Sequence, residues 1–323
     1  MNTKVILINI VIVVCVFACL EILTRFAIFL YKGDSTAGMV GRSANLLYQP
    51  FLMFGENHDF NLKNYEQNKK GLNVLILGGS TAESFPDKLI KDKLSKHFNK
   101  EVNLYNSAFS GHNARQELIF LALWGNTIKP DLIISLDGAN DIVHSLRINR
   151  VGTFFTNDTY DIVLTKPYLG PIIYIMQKSQ FYNSILRVMA RAKTFESADY
   201  SAHIKIYIDA QRNLSLLSQT LKSKHISILQ PYLGFKKPKH EEEKKFTHYD
   251  FRNEVVKNLY NYTHEELLKL HNETDSYYLD GRFFYSNNKN RIFTDDVHFF
   301  KNEGYEIILN QVINLLISEN IKF

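Results

Sequence analysis

Leu72-Asn73-Val74-Leu75-Ile76-Leu77-Gly78-Gly79-Ser80-Thr81 is the stretch that decides the fold. A largely apolar run of this length that stops at a glycine pair reads as a fully buried strand, and a helical stretch follows it to about His97. The pattern repeats outward. Val102 to Tyr105 reads as a second strand, followed by a helix from about Asn113 to Thr127. Pro130 and Asp131 introduce a third strand, Leu132 to Leu136, and Ile226 to Leu229 and Tyr277 to Leu279 are further strand candidates. The last helix, from about Asn302, carries Ile308, Val312, Leu315 and Leu316 at core spacing. Strands alternating with helices of this length predict an α/β fold with a central parallel sheet covered on both faces. Sites in such sheets form beyond the carboxyl ends of the strands.

Three more short motifs fall where a strand ends or a loop precedes a helix. They are an isolated Gly111, Gly138-Ala139-Asn140-Asp141 and Asp295-Asp296-Val297-His298. A serine hydroxyl is a poor nucleophile until a base takes its proton. Ser80 opens a helix, whose N-terminus favours developing negative charge; the same position suits a serine that only caps the helix. Gly111 allows a positive φ and close backbone approach, so its N–H can face a substrate oxygen, although alone it is an ordinary turn glycine. Asn140 can donate its side-chain amide to the same oxygen.

His298 lies three residues after Asp295, so one turn can present both side chains to one site. His298 can take the Ser80 proton and return it to a leaving alcohol, with Asp295 holding the imidazole tautomer and stabilising its charged form. Asp296 is adjacent, and a swap of the two acids stays open. Ser80, His298 and Asp295 are thus the catalytic candidates, and Ser80, Gly111 and Asn140 the oxyanion-hole candidates. Gly79, His112 and Arg115 are possible lining residues. Arg115 stands one helical turn past Gly111, where it could reach an anionic substrate group.

The chain resembles the SGNH hydrolase superfamily, also called the GDSL family, named for a serine, glycine, asparagine and histidine from four blocks. Gly79-Ser80 matches the first block, Gly111 the second, Gly138-x-Asn140-Asp141 the third and Asp295-x-x-His298 the fifth. The resemblance covers about residues 72–318, and Asp-x-x-His-Phe followed by Gly304 is its most specific part. It implies a three-layer flavodoxin-like fold, no metal, and ester hydrolysis or acyl transfer through an acyl-serine; it implies no substrate. The first block departs from the pattern, reading Gly-Gly-Ser-Thr rather than Gly-Asp-Ser-Leu, a variant associated with membrane-anchored bacterial members. The nucleophile stays in place, while the inference to secreted lipases weakens.

Composition bounds the rest. Of 323 residues, 45% are hydrophobic and 22% charged, which is globular rather than disordered. A net charge of +5 with scattered lysines and no basic stripe argues against nucleic-acid binding. Both cysteines, Cys15 and Cys19, lie in the first apolar segment, so the remaining chain has no disulfide framework and no cysteine zinc site. His264 and His271 lie seven apart without a third ligand at suitable spacing, so no metal or other cofactor is expected.

Val5 to Leu23 is almost continuously apolar and spans roughly 28 Å as a helix, close to the hydrocarbon thickness of a bilayer. Glu21 and Arg25 sit four apart and can pair on one face. No small-x-small pattern follows the apolar core, which argues against a cleaved signal peptide. Val16-Phe17-Ala18-Cys19 loosely resembles a lipobox, but Phe17 is bulky and apolar residues resume after the cysteine. An uncleaved signal anchor is the preferred reading, with the catalytic domain outside the cytoplasm.

The expected organisation is therefore a transmembrane helix over 1–32, a connector over 33–70 and a hydrolase domain over 71–323 with an insertion at about 145–200. Phe154, Phe155, Tyr160, Tyr168, Tyr174, Phe181 and Tyr182 fit a packed insertion or a sugar-stacking lid. Lys236 to Lys245 reads as a solvated loop and helix start with internally compensating charge. The expected activity is hydrolysis of a small acyl ester, such as acetyl, on a surface glycan or related carbohydrate. O-acyl transfer to a sugar and a catalytically inactive membrane-tethered binding protein are the alternatives.

Overall fold

The protein is described as a computed structural model over residues 3–32, 47–49, 51–55, 71–145, 168, 176, 179–182, 184–185, 200–246 and 250–323. Phe154, Phe155, Tyr160, Tyr174 and most of the expected connector lie outside these residues. The chain divides into two units, Met1–Leu46 with Thr156–Glu196, and Leu47–Phe155 with Ser197–Phe323.

The first unit contains α1 (Thr3–Lys32), whose stretch Lys4–Ala27 is long and apolar enough to cross a membrane. Val5, Leu7, Val13, Ile22, Leu23, Phe26 and Leu30 are among its exposed large apolar side chains. Glu21 and Arg25 pair at 2.7 Å, as the spacing predicts.

In the second unit, β1 (Leu47–Gln49) and β2 (Met53–Gly55) form an antiparallel hairpin. The main sheet contains β3 (Leu72–Gly78), β4 (Val102–Asn106), β5 (Leu132–Asp137), β6 (Lys224–Leu229) and β7 (Tyr277–Asp280) in the order β4-β3-β5-β6-β7. Every pairing is parallel. The helices are α2 (Ser80–Glu83), α3 (Asp87–Phe98), α4 (Ala114–Ile128), α5 (Ala139–Ser145), α6 (Tyr200–Thr220), α7 (Glu241–Lys244), α8 (Asp250–Glu273) and α9 (Asn302–Ser318).

Strand side chains alternate between faces, and the core follows that period. Leu72, Val74, Ile76, Leu132, Ile134, Leu136, Ile226 and Ile228 pack with α3 and α9 on one face. Leu75, Leu77 and Ile133 pack with Phe120, Leu121 and Ile128 of α4 and Leu214 of α6 on the other. The result is the expected three-layer α/β arrangement, with β3 an interior strand buried along its length. Asn73, the polar exception in that strand, donates its N–H to Asp131 Oδ2 at 2.8 Å and its amide to the carbonyls of Ile128 and Lys129. Those bonds satisfy it and fix the α4–β5 connection.

Two expectations need correction. The single helical stretch to His97 is broken into α2 and α3. Pro86 cannot extend the first helix and pushes Phe85 away from helical geometry, so a new helix starts at Asp87. The second correction concerns the charged run. Its outer pairs, Lys244–Glu241 and Lys245–Glu242, are solvated, but Lys236 and Glu243 form an ion pair with side chains only 1% and 0% exposed. Glu243 also accepts the N–H groups of His240, Ile292 and Phe293 at 2.8, 2.7 and 2.9 Å, and Lys236 donates to the Asn290 carbonyl at 2.6 Å. Charge spacing cannot reveal which members of a run turn inward toward backbone donors.

Removing one partner of a buried ion pair leaves an uncompensated charge. Glu243→Ala should lower unfolding stability by about 3–5 kcal/mol, measured by denaturant unfolding, while Glu241→Ala leaves the transition unmoved.

Candidate active site

The site begins where β3 runs out. Gly78 has φ +146°, and a Cβ there would lie 2.4 Å from the Leu136 carbonyl oxygen, so the turn out of the strand requires glycine. Gly79 is the N-cap of α2 and makes no side-chain cap bond, which leaves Ser80 as the first helical residue. Ser80 Oγ lies 2.6 Å from His298 Nε2. The serine therefore faces an imidazole rather than capping its helix.

His298 is carried by an irregular loop between β7 and α9, which an isolated antiparallel bridge between Phe293 and Phe299 closes. Asp295 Oδ1 accepts the N–H groups of Val297 and His298 at 2.9 and 2.8 Å, and its Oδ2 lies 2.6 Å from His298 Nδ1. One carboxylate thus shapes the turn and orients the ring. Of the two acids, Asp295 is the one bonded to the His298 ring. Asp296 instead offers its backbone carbonyl to the Leu233 N–H at 2.9 Å.

The second and third blocks meet at Asn140. Its Nδ2 donates to the His112 carbonyl at 2.6 Å, so one amide proton is engaged and the amide plane is fixed. A Cβ on Gly79 would come within 2.4 Å of that nitrogen, so only glycine lets the amide approach so closely. Gly111 has φ +85°, and the turn around it is tied to the end of β3 by the Phe109 N–H bonding to the Gly78 carbonyl at 3.0 Å. Asn113 then starts α4 with a capping box shared with Gln116. Being first in its helix, Ser80 has no intrahelical acceptor for its N–H.

The expected lining residues divide. Gly79 and the His112 carbonyl belong to this cluster, whereas the His112 ring is 4% exposed and packs on Phe109. Arg115 is half-buried on α4, and its charge favours the ionised form of Asp141.

The electrostatics suit a base. The hydrogen bond to Asp295 raises the pKa of His298 above its ordinary value of 6.5 against burial, with the charges of Asp295 and Glu83 adding to the rise. Burial alone would lift the Asp295 carboxyl; the bonds from His298 and the Val297 and His298 N–H groups outweigh it and hold the pKa below the usual value.

Behind Asn140 the trend reverses. Burial, with the adjacent Asp137 charge, pushes Glu117 well above the carboxylate range, and Asp141 is pushed up to about 8. Asp137 accepts from Tyr207 Oη at 2.6 Å and Gln211 Nε2 at 2.7 Å. Among the described residues, no group of three or more His, Cys, Asp or Glu side chains is placed to hold a metal ion.

The similar solved structures include lipases and esterases. A lipase/acylhydrolase from Enterococcus faecalis is 14% identical with a TM-score of 0.44, over 77% of this chain and 96% of that one. A GDSL-like lipase from Bacteroides thetaiotaomicron is 14% identical with a TM-score of 0.43, over 81% and 98%. A catalytic mutant of an acetylxylan esterase from Geobacillus stearothermophilus is 12% identical with a TM-score of 0.45, over 76% and 94%. No family model and no curated protein matches the chain.

Two residues outside the expected set brace the histidine loop. Thr81 Oγ1 donates to the Val297 carbonyl at 3.2 Å, and Gln230 Nε2 reaches Thr81 Oγ1 at 2.7 Å and the Val297 carbonyl at 3.3 Å. Thr81 stands inside the first motif. Gln230 directly follows β6, so its position at a strand's carboxyl end was the available signal.

The His298 imidazole should titrate above 6.5. It stays protonated to a higher pH than a free histidine and acts as a base only above that midpoint. Asp295→Asn removes the carboxylate that holds the proton on the ring, so the midpoint should fall, as followed by NMR of the histidine ring protons against pH. A midpoint unmoved by Asp295→Asn would break this electrostatic account.

Proposed function

We propose that this chain is a serine ester hydrolase, with Ser80 as nucleophile, His298 as general base and Asp295 as its orienting acid. The unbroken chain from Ser80 Oγ through both ring nitrogens to Asp295 Oδ2, with both links at 2.6 Å, carries the reading. Its two links are what a hydroxyl needs in order to lose its proton at neutral pH.

In the acylation step, Ser80 Oγ attacks the ester carbonyl carbon while its proton passes to His298 Nε2. The carbonyl oxygen gains the negative charge and faces the Ser80 and Gly111 N–H groups and the Asn140 amide proton not used by His112. Collapse breaks the bond to the alcohol, which takes the proton from His298. Water, deprotonated by the same nitrogen, then attacks the acyl-Ser80 carbonyl; collapse breaks the bond to Oγ, which takes the proton back from His298, and the acid leaves.

The substrate in this reading is a small acyl ester, such as an acetate, on a carbohydrate at the cell surface. The apolar span of α1 supports a single-pass membrane anchor, and the reading places the catalytic domain outside the cytoplasm. Membrane and glycan ester are the partners, and nucleic acid is not among them.

The test is mass spectrometry after exposure to a fluorophosphonate and, separately, to p-nitrophenyl acetate. An adduct on Ser80 should form and be lost in His298→Ala, and Asn140→Ala should lower kcat on the acetate about 10²–10³-fold. A persistent acetyl-Ser80 that turns over only when a sugar is added would replace hydrolysis by acyl transfer. A folded protein with no adduct would fit only a binding protein.

A further inference from the structure

Glu21 is a carboxylate inside an apolar helix. It lies 17 residues past Lys4, about 25 Å along α1, and within the membrane-length span Lys4–Ala27. It stands two residues before the end of the apolar run Val5–Leu23, and ionisable groups within such a span pair with one another or with backbone groups. Arg25 Nε supplies one bond at 2.7 Å. The other partners are 158–160 residues away in sequence: Ser179 Oγ at 2.7 Å, the Gln180 N–H at 2.9 Å and the Phe181 N–H at 3.0 Å.

Ser179 and Gln180 are 5% and 0% exposed, and Ser179 Oγ also accepts the Tyr182 N–H at 3.0 Å. One helical turn earlier on the same face, the Phe17 ring meets that of Phe181 edge-on, with centroids 6.0 Å apart. Both sides of the contact belong to the first unit.

We propose that α1 is a retained structural partner of the segment Ser179–Tyr182, joined to it through Glu21, so that this part of the insertion sits at the membrane. A leader peptide destined for removal has no use for a carboxylate that fastens a distant segment of the mature chain. Without α1, the Gln180 and Phe181 N–H groups lose their acceptor. Without the segment, Glu21 keeps only Arg25 in an apolar setting. Each side therefore stabilises the other, whether or not Ser80 becomes acylated.

The test uses the full chain in membranes of the expressing cell, with Cys15 and Cys19 replaced by serine and cysteines introduced as Phe17→Cys and Phe181→Cys. Cross-linking by a bismaleimide too short to join separated segments, read as linked peptides by mass spectrometry, should be efficient. Glu21→Leu should reduce it at least tenfold. Leucine suits a bilayer better than glutamate, so that loss reports undocking and not failed insertion; Glu21→Gln, which keeps an acceptor oxygen, should retain part of the yield.

Undiminished cross-linking in Glu21→Leu would overturn the inference, as would an intact mass showing that α1 is missing from the membrane-isolated protein. Fluorophosphonate labelling of Ser80 in the same samples separates the two readings. Cross-linking without labelling supports this inference and counts against the esterase, whereas labelling without cross-linking overturns the docking alone.

Discussion

The 2.6 Å contact between Ser80 Oγ and His298 Nε2 joins residues 218 positions apart, and the rest of the second unit is organised so that it can form. The two sides are held in place by different means. Ser80 stands at the end of β3, which is buried on both faces and paired on both edges, so the sheet positions it. His298 stands on an irregular loop, which has no ladder of backbone bonds to fix it. Hydrogen-bond length varies little before the bond weakens, so the loop must be held to within about 0.5 Å by side chains. Thr81 and Gln230 hold the Val297 carbonyl from the sheet side, and Glu243 with Lys236 holds the backbone at Asn290, Ile292 and Phe293 from the other. The Tyr285 hydroxyl, bonded to the Gly304 carbonyl at 2.7 Å, fixes where α9 departs.

The acids behind Asn140 present an apparent conflict. An oxyanion forming beside Asn140 would be opposed by three ionised carboxylates at Glu117, Asp137 and Asp141. Burial weakens that opposition, because it pushes all three carboxyls above their ordinary values, Asp141 up to about 8. The charge that remains on Asp137 is met by the Tyr207 hydroxyl and the Gln211 amide. A low-dielectric surround that penalises three charges thus shifts each acid toward its neutral form beneath the Gly138–Asn140 turn, where two donors hold Asp137.

The sheet was legible in the sequence because its signals are local. Short apolar runs between helical stretches marked each strand, with glycine at or just after the ends of β3, β5 and β7, and the three motifs at strand ends converge where parallel topology requires. The Asp295–His298 pair was legible for the same reason, being one turn apart. What escaped reading depends on partners distant in sequence. Gln230 is an unremarkable residue until β6 sets it beside Thr81. Lys236 and Glu243 look like their solvated neighbours until the loop near Asn290 closes over them. For Glu21, the spacing to Arg25 predicted a pair, but nothing near it announced Ser179.

These cases share one chemistry. Asp131 accepts the Asn73 N–H, Asp295 those of Val297 and His298, Glu243 those of His240, Ile292 and Phe293, and Glu21 those of Gln180 and Phe181. Irregular backbone that leaves solvent must find acceptors for its N–H groups, and a carboxylate serves two or three at once where a carbonyl serves fewer. The bonds are charge-assisted and directional, so they select one loop conformation among many of similar apolar burial. Hydrophobic burial is non-directional and sets only how much chain is enclosed. At Asp295 this device does a second task, because the oxygen opposite the one holding the turn meets the His298 ring. The loop's conformation and the base's orientation are thereby fixed by one side chain, and neither can relax without disturbing the other.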